Sequence, residues 1–239
     1  MDTPNATSLS KWPFRWHVQV VDETGSTNTD LLAAAAAGAP DRSVLVARHQ
    51  TAGRGRLDRR WDAPAGANLL ASLLFREIPA DPHVLTQRVA LAAAVACERL
   101  AGVRPSLKWP NDLLLDDVKL AGVLAQAYLG PQPAVVVGIG INVGWAPEGA
   151  AQVGHDVQPL DLLAEMLRAY DDLPEDVWLM YRDRLGTIGR RVRVELPDAM
   201  VEGVAVDVDP DGQLVVVDDA GKSRRFAVGD IVHLRIASE

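Results

Sequence analysis

A change of pattern at Arg190 is the feature of this sequence that most constrains its fold. Before this point, apolar residues recur at helical spacing in three segments: 82–100, 159–170 and 174–185. After it, five short alternating segments are separated by turn sequences such as the Asp-Pro-Asp-Gly at 209–212. Short strands joined by tight turns are typical of a small β-barrel. The pattern therefore predicts one larger domain over residues 1–188 and one small β-domain over residues 189–239.

Alternating or uniformly apolar runs predict strands in the larger domain as well: 16–21, 44–47, 69–75, 107–115, 118–124 and 134–143. The run 107–115 breaks at Pro110-Asn111-Asp112 and restarts at Leu113-Leu114-Leu115, and a turn at Asp116-Asp117 leads into the run 118–124. These segments are predicted to be adjacent strands of one antiparallel sheet. A helix is predicted after Ser26 or Thr27, which are good N-cap residues, and Gly38 marks its end. Strands and helices together make the larger domain an α+β unit.

The chain carries 24 basic and 32 acidic residues, for a formal net charge of −8. This acidic balance disfavours general binding to duplex nucleic acid, which depends on many cationic contacts to phosphates. No apolar run is long enough to cross a membrane, so we expect a cytoplasmic protein without a membrane partner. Cys97 lies in an apolar helical pattern and is expected to be a small buried residue rather than a nucleophile. The histidines are scattered, and no spacing indicates a metal site.

Residues 49–61 form the most unusual stretch, because four arginines and two glycines fall within the eight residues 53–60 of an acidic protein. Their spacing matches neither a helix nor a strand. Glycine lets a backbone approach a ligand closely, and guanidinium groups bind carboxylate and phosphate oxygens. The stretch therefore indicates a mobile loop that binds an anion. A solvated basic turn, or an Arg-Gly segment that contacts nucleic acid, is the alternative on these residues alone.

Three further features have both a structural and a functional interpretation. Ser26, Thr27 and Asn28 can cap a helix, or their hydroxyl and amide groups can face a ligand at the helix start. Lys119 interrupts an apolar strand without an evident partner, so it either points outward or lies on an inner face and binds a ligand. The alternating glycines of the segment 138–142 would let a flat group approach the sheet.

Five motifs in this order resemble those of the biotin protein ligases: Glu23-Thr24-Gly25-Ser26-Thr27-Asn28, Gln50-Thr51-Ala52-Gly53-Arg54-Gly55-Arg56, Lys108-Trp109-Pro110-Asn111-Asp112, Lys119-Leu120-Ala121-Gly122 and Gly138-Ile139-Gly140-Ile141-Asn142. Each motif is weak alone, but five in this order are very specific, and the C-terminal barrel also matches that family. The resemblance implies an α+β catalytic domain akin to class II aminoacyl-tRNA synthetases and an SH3-like C-terminal domain. Too few residues precede the first strand for the helix-turn-helix of some members, so we expect the short form that does not bind DNA.

The reaction of that family has two steps. Biotin and ATP give biotinyl-5′-AMP and pyrophosphate, and a lysine of a biotin carboxyl carrier domain of a carboxylase then attacks the mixed anhydride. The resemblance therefore implies biotin and ATP as substrates, Mg²⁺ as the metal, the carrier domain as the protein partner, and a monomer or weak homodimer. A loop that closes over the adenylate would exclude water until the carrier arrives.

The resemblance also implies site residues. Biotin would be bound by residues of the first, second and fourth motifs and the loop: Ser26, Thr27, Asn28, Gln50, Gly53, Arg54, Gly55, Arg56, Leu57, Lys119 and Gly122. ATP and the adenylate would be bound by a second, overlapping set: Arg56, Arg59, Trp61, Lys108, Asn111, Asp112, Lys119, Gly140 and Asn142. Arg54, Arg56 and Lys119 would be catalytic, because cations offset the repulsion between carboxylate and phosphate. Asp112 would contact Mg²⁺, and Trp109 is either a core residue or part of the nucleotide site.

At one position the sequence departs from the pattern of the family: Asp58 stands where the loop usually has a third glycine. Aspartate can adopt a positive φ at modest cost, but its carboxylate can also pair with a neighbouring arginine. Two other functions stay open at this point, a lipoate ligase with the same fold and adenylate chemistry, and a nucleic-acid-binding module. Residues 190–239 carry seven basic and ten acidic side chains, which disfavours the nucleic-acid module.

Overall fold

The computed structural model describes residues 11–56, 59–196, 199–227 and 229–233. Within these ranges the chain forms two β-sheets and four α-helices. The elements follow in chain order: β1 (His17–Thr24), α1 (Thr27–Ala36), β2 (Ser43–Gln50), β3 (Leu69–Phe75), α2 (His83–Ala101), β4 (Ser106–Lys108), β5 (Asp112–Leu115), β6 (Val118–Tyr128), β7 (Ala134–Ile141), α3 (Pro159–Asp172), α4 (Trp178–Arg184), β8 (Arg191–Glu195), β9 (Met200–Val208), β10 (Leu214–Asp218), β11 (Ser223–Phe226) and β12 (Asp230–His233). No helix in the described ranges has the length and apolarity that a membrane crossing requires.

Seven strands form the larger sheet, in the order β1-β2-β3-β7-β6-β5-β4. The strands β1 and β2 run parallel, and all other neighbours are antiparallel. The central strands β3 and β7 are buried along nearly their whole length, as their continuous apolar sequences predict. Helices α2 and α3 pack on one face of the sheet, whereas α1 covers part of the other. This arrangement confirms the α+β prediction, and the part of the second face that α1 leaves open carries the candidate site.

Local sequence signals set most helix ends. Helix α3 begins at Pro159, and α2 ends before Gly102, whose φ of +67° is the left-handed conformation that glycine favours. The prediction that Pro174 opens the next helix is wrong, because α4 begins only at Trp178. The carbonyl oxygen of Pro174 accepts a hydrogen bond of 2.6 Å from Arg88 of α2, which ties this segment to α2 instead.

The five predicted C-terminal strands all form, as an antiparallel sheet in the order β11-β10-β9-β8-β12. The last strand was expected to reach residue 236, and residues 234–239 lie outside the described ranges. Val192, Leu214 and Phe226 join the buried residues of the larger sheet in one continuous apolar cluster. A unit of about 50 residues is near the lower limit for an independent hydrophobic core, which explains why it shares a core with the larger domain. The proposed domain boundary at 188–189 falls between α4 and β8.

Candidate active site

A cleft of about 580 Å³ opens on the α1 face of the seven-stranded sheet, where the C-terminal sheet reaches it. Most of the predicted site residues line this cleft: Ser26, Thr27, Asn28, Gln50, Arg54, Gly55, Arg56, Arg59, Trp61, Lys108, Asn111, Asp112, Lys119, Gly122, Gly140 and Asn142. Gly53 is not among the lining residues. Leu57 and the unusual Asp58 lie outside the described residues. The fold thus brings segments that are far apart in the chain to one opening.

At one end of the cleft, α1 and β2 place hydroxyl and amide groups side by side. Ser26 takes the N-cap position of α1, but its side chain makes no capping hydrogen bond and lines the cleft. Gln50 Oε1 instead accepts hydrogen bonds from the backbone N and the Oγ1 of Thr27, at 2.7 and 3.0 Å. Gln50 therefore satisfies an N–H group at the helix start, a role that the sequence assigned to Ser26 or Thr27.

A second hydrogen-bond network holds Asn28 against the strands beneath it. Asn28 Nδ2 donates to the carbonyl oxygen of Leu124 at 3.1 Å and to Gln126 Oε1 at 2.9 Å. Ser72 Oγ lies 2.6 Å from Asn28 Oδ1 and 2.7 Å from Thr27 Oγ1. Because Thr27, Asn28 and Ser72 are buried and bonded to one another, the orientation of the Asn28 amide is set before any ligand binds.

Ser72 and Gln126 support this network and were not predicted from the sequence. One signal was present, since Ser72 is the single polar residue within the apolar strand Leu69–Phe75. A buried hydroxyl in such a strand needs a hydrogen-bond partner. The glycine at 138 is required for the same packing, because a Cβ there would lie 2.2 Å from Asn28 Oδ1.

The loop of residues 49–61, here called the Arg-Gly loop, is more regular than the spacing of its arginines and glycines predicts. In its described part, Gly55 N donates to Arg59 O at 2.7 Å, and Trp61 N donates to Gly53 O at 3.0 Å, which makes a narrow antiparallel pairing. A Cβ on Gly53 would lie 2.4 Å from Trp61 O, so this pairing requires glycine. Gly53 therefore shapes the loop from outside the cleft and is not a lining residue.

Arg56 links this loop to two other parts of the molecule. Its Nη1 donates to Asn111 Oδ1 at 3.3 Å, and its Nη2 donates to the carbonyl oxygen of Gly229 at 3.2 Å. Asn111 is held in turn by a bond of 2.8 Å from its Nδ2 to the carbonyl oxygen of Val123. Side chains of the C-terminal sheet also line the cleft, which the sequence did not predict: Glu195, Ile231 and Val232.

Trp61 lies across the glycines of the sheet floor. A Cβ on Gly140 would lie 2.6 Å from Trp61 Cε2, and a Cβ on Gly122 would lie 3.4 Å from its Cζ3. The sequence predicted that alternating glycines let a flat group approach the sheet, and in this structure that group is the indole of Trp61. Its Nε1 is buried and has no hydrogen-bond partner among the described residues.

Lys119 is paired, contrary to the expectation that it has no partner in the protein. Its Nζ lies 2.7 Å from Asp112 Oδ1 and 5.8 Å from the centre of the Trp61 ring. The antiparallel strands β5 and β6 bring the two charged groups together across the turn that joins them. Lys119 is the cation predicted to bind a carboxylate, and Asp112 is the residue predicted to contact Mg²⁺. When a charged ligand binds, either group can exchange its present partner for the ligand.

Two further residues have structural roles that the sequence left open. Trp109 packs in the core, where it is only 2% exposed and its Nε1 donates to the carbonyl oxygen of Gly212 at 2.9 Å, and it also lines the cleft. Asn142 Nδ2 donates to the carbonyl oxygen of Ala151 at 3.0 Å, and Asn68 Nδ2 lies 3.3 Å from its Oδ1. Asn142 lines the cleft while it braces the loop after β7.

Cys97 is buried in α2, away from the cleft. Burial raises the pKa of its thiol to about 12, so the thiol stays protonated at neutral pH and is not a nucleophile. The expectation of a buried structural cysteine is confirmed. In the described ranges, no three His, Cys, Asp or Glu side chains cluster as a metal site of protein ligands alone would require.

Comparison with known proteins agrees with this geometry. The Biotin/lipoate A/B protein ligase family matches residues 20–142, and the Biotin protein ligase C terminal domain matches residues 187–234. The biotin–[acetyl-CoA-carboxylase] ligase of Mycobacterium tuberculosis is 40% identical, across 91% of this chain and 89% of its own. The enzyme of that name from Paracoccus denitrificans is 32% identical, across 83% and 93%. A biotin protein ligase structure from Aquifex aeolicus, in complex with biotin and ATP, matches with a TM-score of 0.78 and 25% identity, across 92% and 99%. The chain therefore belongs to the biotin protein ligases, within the biotin/lipoate A/B protein ligase family.

Proposed function

We propose that this protein joins biotin to a carrier protein in two steps at the cleft. In the first, a carboxylate oxygen of biotin attacks the α-phosphorus of ATP, the bond from that phosphorus to the bridging oxygen breaks, and pyrophosphate leaves. In the second, the amine of a carrier lysine attacks the acyl carbon of biotinyl-5′-AMP. An amide bond forms, AMP leaves and the amine loses a proton.

One observation carries this proposal: a neutral hydrogen-bonding end and a cationic end share one cleft. The first end holds hydroxyl and amide groups: Ser26, Thr27, Asn28 and Gln50. The second holds guanidinium and ammonium groups: Arg54, Arg56, Arg59, Lys108 and Lys119. The uncharged ureido ring of biotin suits the first end, and its carboxylate together with the phosphates of ATP suits the second.

At the neutral end, we assign the ureido ring to Ser26, Thr27, Asn28 and Gln50. The hydrogen bonds among these groups fix which atoms donate and which accept, so the ring meets a preorganised surface. Gly122 would let the rest of the vitamin lie close to the sheet. Gly53 contributes to this end by shaping the loop that carries Arg54 and Gly55.

At the reacting centre, we assign Arg54, Arg56 and Lys119. Biotin carboxylate and the α-phosphate repel each other, and these cations lower that repulsion and stabilise the charge that develops as the O–P bond forms. Lys119 would exchange Asp112 for the substrate oxygens. Without such an exchange, its ammonium would stay neutralised by that carboxylate, 2.7 Å away.

On the nucleotide side, we assign the remaining lining residues: Arg59, Trp61, Lys108, Asn111, Gly140 and Asn142. Mg²⁺ that binds with ATP needs only one or two protein carboxylates, because the phosphates supply other ligands. Asp112 lines the cleft and fits this requirement. When bound, Mg²⁺ neutralises negative charge on the leaving pyrophosphate.

The partner is then a biotin carboxyl carrier domain of an acetyl-CoA carboxylase, the acceptor named for the Mycobacterium and Paracoccus relatives. We place the reaction in the cytoplasm. The acidic C-terminal segment disfavours a nucleic-acid partner, and the match of that segment to a biotin protein ligase domain favours biotin over lipoate as the vitamin.

Exchange of radioactive pyrophosphate into ATP tests the proposal directly. We expect exchange that depends on biotin and Mg²⁺, followed by transfer of biotin to a purified carrier domain. Lipoate in place of biotin is the control, and we expect it to support little exchange. Exchange that requires lipoate, or binding to nucleic acid without any exchange, would contradict the proposal.

A further inference from the structure

Trp109 joins the seven-stranded sheet to the C-terminal sheet at a point next to the cleft. It follows β4 and precedes β5, and it is almost completely buried. Trp109 itself lines the cleft, and so do Lys108 and Asn111, which are close to it in the chain. The position of Trp109 therefore determines the backbone positions from which the side chains of Lys108 and Asn111 reach the cleft.

Two hydrogen bonds fix Trp109, one to the C-terminal unit and one to Thr187 beside the boundary between the two domains. Its Nε1 donates to the carbonyl oxygen of Gly212, in the turn between β9 and β10, at 2.9 Å. Its backbone N donates to Thr187 Oγ1 at 3.2 Å, and this oxygen lies 3.2 Å from His233 Nε2 in β12. Thr187 is completely buried. Trp109 thus bonds to the C-terminal unit directly at Gly212 and is linked to His233 through Thr187.

The other end of the cleft is held differently. Thr27 bonds to Gln50, and Ser72 bonds to Thr27 and Asn28, all within the larger domain. No hydrogen bond recorded for these four residues reaches the C-terminal sheet in the described ranges. A disturbance of the contact between the two sheets would therefore reach one half of the cleft and spare the other.

We infer that Trp109 is a positioning residue through which the C-terminal sheet sets the nucleotide half of the cleft. The inference rests on the proposed function for the assignment of Lys108 and Asn111 to ATP. Trp109 lines the cleft but is assigned no contact with a reacting atom, and it acts by fixing the positions of Lys108 and Asn111. Its loss would weaken the binding of ATP and leave the binding of biotin unchanged.

The chain offers a matched control for this contact. Trp178 of α4 donates from its Nε1 to the carbonyl oxygen of Val208, at the end of β9, at 3.0 Å. This is the same type of bond between the same two units. Neither Trp178 nor its described neighbours in the chain, Val177 and Leu179, line the cleft.

The experiment compares four variants, Trp109→Phe, Thr187→Val, Thr187→Ser and Trp178→Phe, with the unsubstituted protein. The KM values for ATP and for biotin are measured separately by pyrophosphate exchange, and the Kd for ATP with Mg²⁺ is measured by calorimetry. Thermal melting establishes that each variant is folded. Thr187→Val keeps the volume of the side chain but removes the oxygen, whereas Thr187→Ser restores the oxygen.

We expect Trp109→Phe and Thr187→Val to raise the KM and Kd for ATP by about threefold to tenfold, the effect of one lost hydrogen bond. The KM for biotin stays within about twofold. Thr187→Ser and Trp178→Phe leave both KM values within about twofold. If the KM values for ATP and biotin rise together, if neither changes, or if Trp178→Phe acts as strongly as Trp109→Phe, the inference is overturned.

Two further outcomes are also decisive. Unfolding of both Trp109→Phe and Thr187→Val would overturn the inference, because the two bonds would then hold the units together without a selective effect on one ligand. Absence of biotin-dependent exchange in the unsubstituted protein would instead refute the proposed function. In that case the calorimetric Kd for ATP still tests whether Trp109 positions a nucleotide site.

Discussion

The two ends of the cleft differ in how they are built. The neutral end is assembled from α1, β2, β3 and β6, and its hydrogen bonds stay within the larger domain. The cationic end includes Arg56, which bonds to Gly229, and it lies beside Trp109, which bonds to Gly212. The hydrogen bonds of the first end thus lie within one domain, whereas those of the second also involve the C-terminal sheet.

This difference suits the proposed reaction. A small, uncharged ring is recognised best by a surface whose donors and acceptors are already oriented. A triphosphate that must enter, react and leave as pyrophosphate is served better by groups that change partners, such as the Lys119 ammonium beside Asp112. The cationic end therefore combines charge with contacts that can rearrange.

The largest effect is expected at the point where the two ends meet. Lys119→Ala should lower biotin-dependent pyrophosphate exchange by about 10²- to 10³-fold, because it removes the cation that stabilises developing charge. Supplying synthetic biotinyl-5′-AMP should restore part of the transfer to the carrier. Lys222→Ala, at an exposed position of the C-terminal unit, is the charge-matched control. A Lys119 variant equally inactive with either substrate would contradict the assignment to the first step.

A smaller effect is expected from the contact between the loop and the C-terminal sheet. Arg56→Gly removes hydrogen bonds to Asn111 and Gly229, and we expect about tenfold more biotin on a bystander protein as activated biotin escapes. Arg60→Gly makes the same change in the same loop, where Arg60 also lines the cleft but is exposed and pairs with Asp62 at 3.4 Å. Labelling of serum albumin, followed with streptavidin, measures the escape. Equal labelling by both variants would show that loop composition, rather than this contact, retains the adenylate.

The neutral end should respond to a change in its support. Ser72→Ala removes the hydrogen bonds that Ser72 makes to Thr27 Oγ1 and Asn28 Oδ1, and should raise the KM for biotin by about fivefold, with the KM for ATP unchanged. Ser43→Ala is the control, because Ser43 is also buried in a strand and bonds only locally, to the carbonyl oxygen of Pro40. An equal rise of the KM values for biotin and ATP would contradict the claim that the neutral end affects the binding of biotin alone.

The smallest expected effect concerns the stability of the contact between the sheets. Burial, together with Lys108 and Arg190, lowers the pKa of His233 to about 4, although Asp117 opposes the shift. Between pH 6.5 and pH 4 the unfolded chain therefore binds a proton at His233 that the folded chain does not, so stability falls as the pH falls.

Replacement of this histidine should remove that part of the pH dependence. We expect His233→Gln to lose less stability than the unsubstituted protein between pH 7.5 and pH 5, measured as the urea midpoint. His17→Gln, at an exposed position, should leave the pH dependence unchanged. If His233→Gln lost as much stability as the unsubstituted protein, the neutral state of His233 in the folded chain would be refuted.

Local patterns predicted many of the elements correctly. The strand Leu69–Phe75 has the predicted limits, because a continuous apolar run reports directly on burial at the centre of a sheet. The helix start at Trp178 could not be predicted from Pro174, because a bond from Arg88, far away in the sequence, decides the conformation there. The motif residues converge on one cleft, yet Gly53 is not among the residues that line it. Trp61 covers Gly140, one of the alternating glycines beside which the sequence predicted a flat group.

The sequence by itself determined the α+β class, the C-terminal strands and the types of groups available for chemistry, because periodicity, turn residues and charge are local properties. The tertiary structure alone decided that Lys119 pairs with Asp112, that Ser72 orients Asn28, and that Trp109 binds the C-terminal sheet. Such contacts depend on where distant strands and turns meet. The residues next to a side chain in the sequence therefore do not specify its partner in the folded protein.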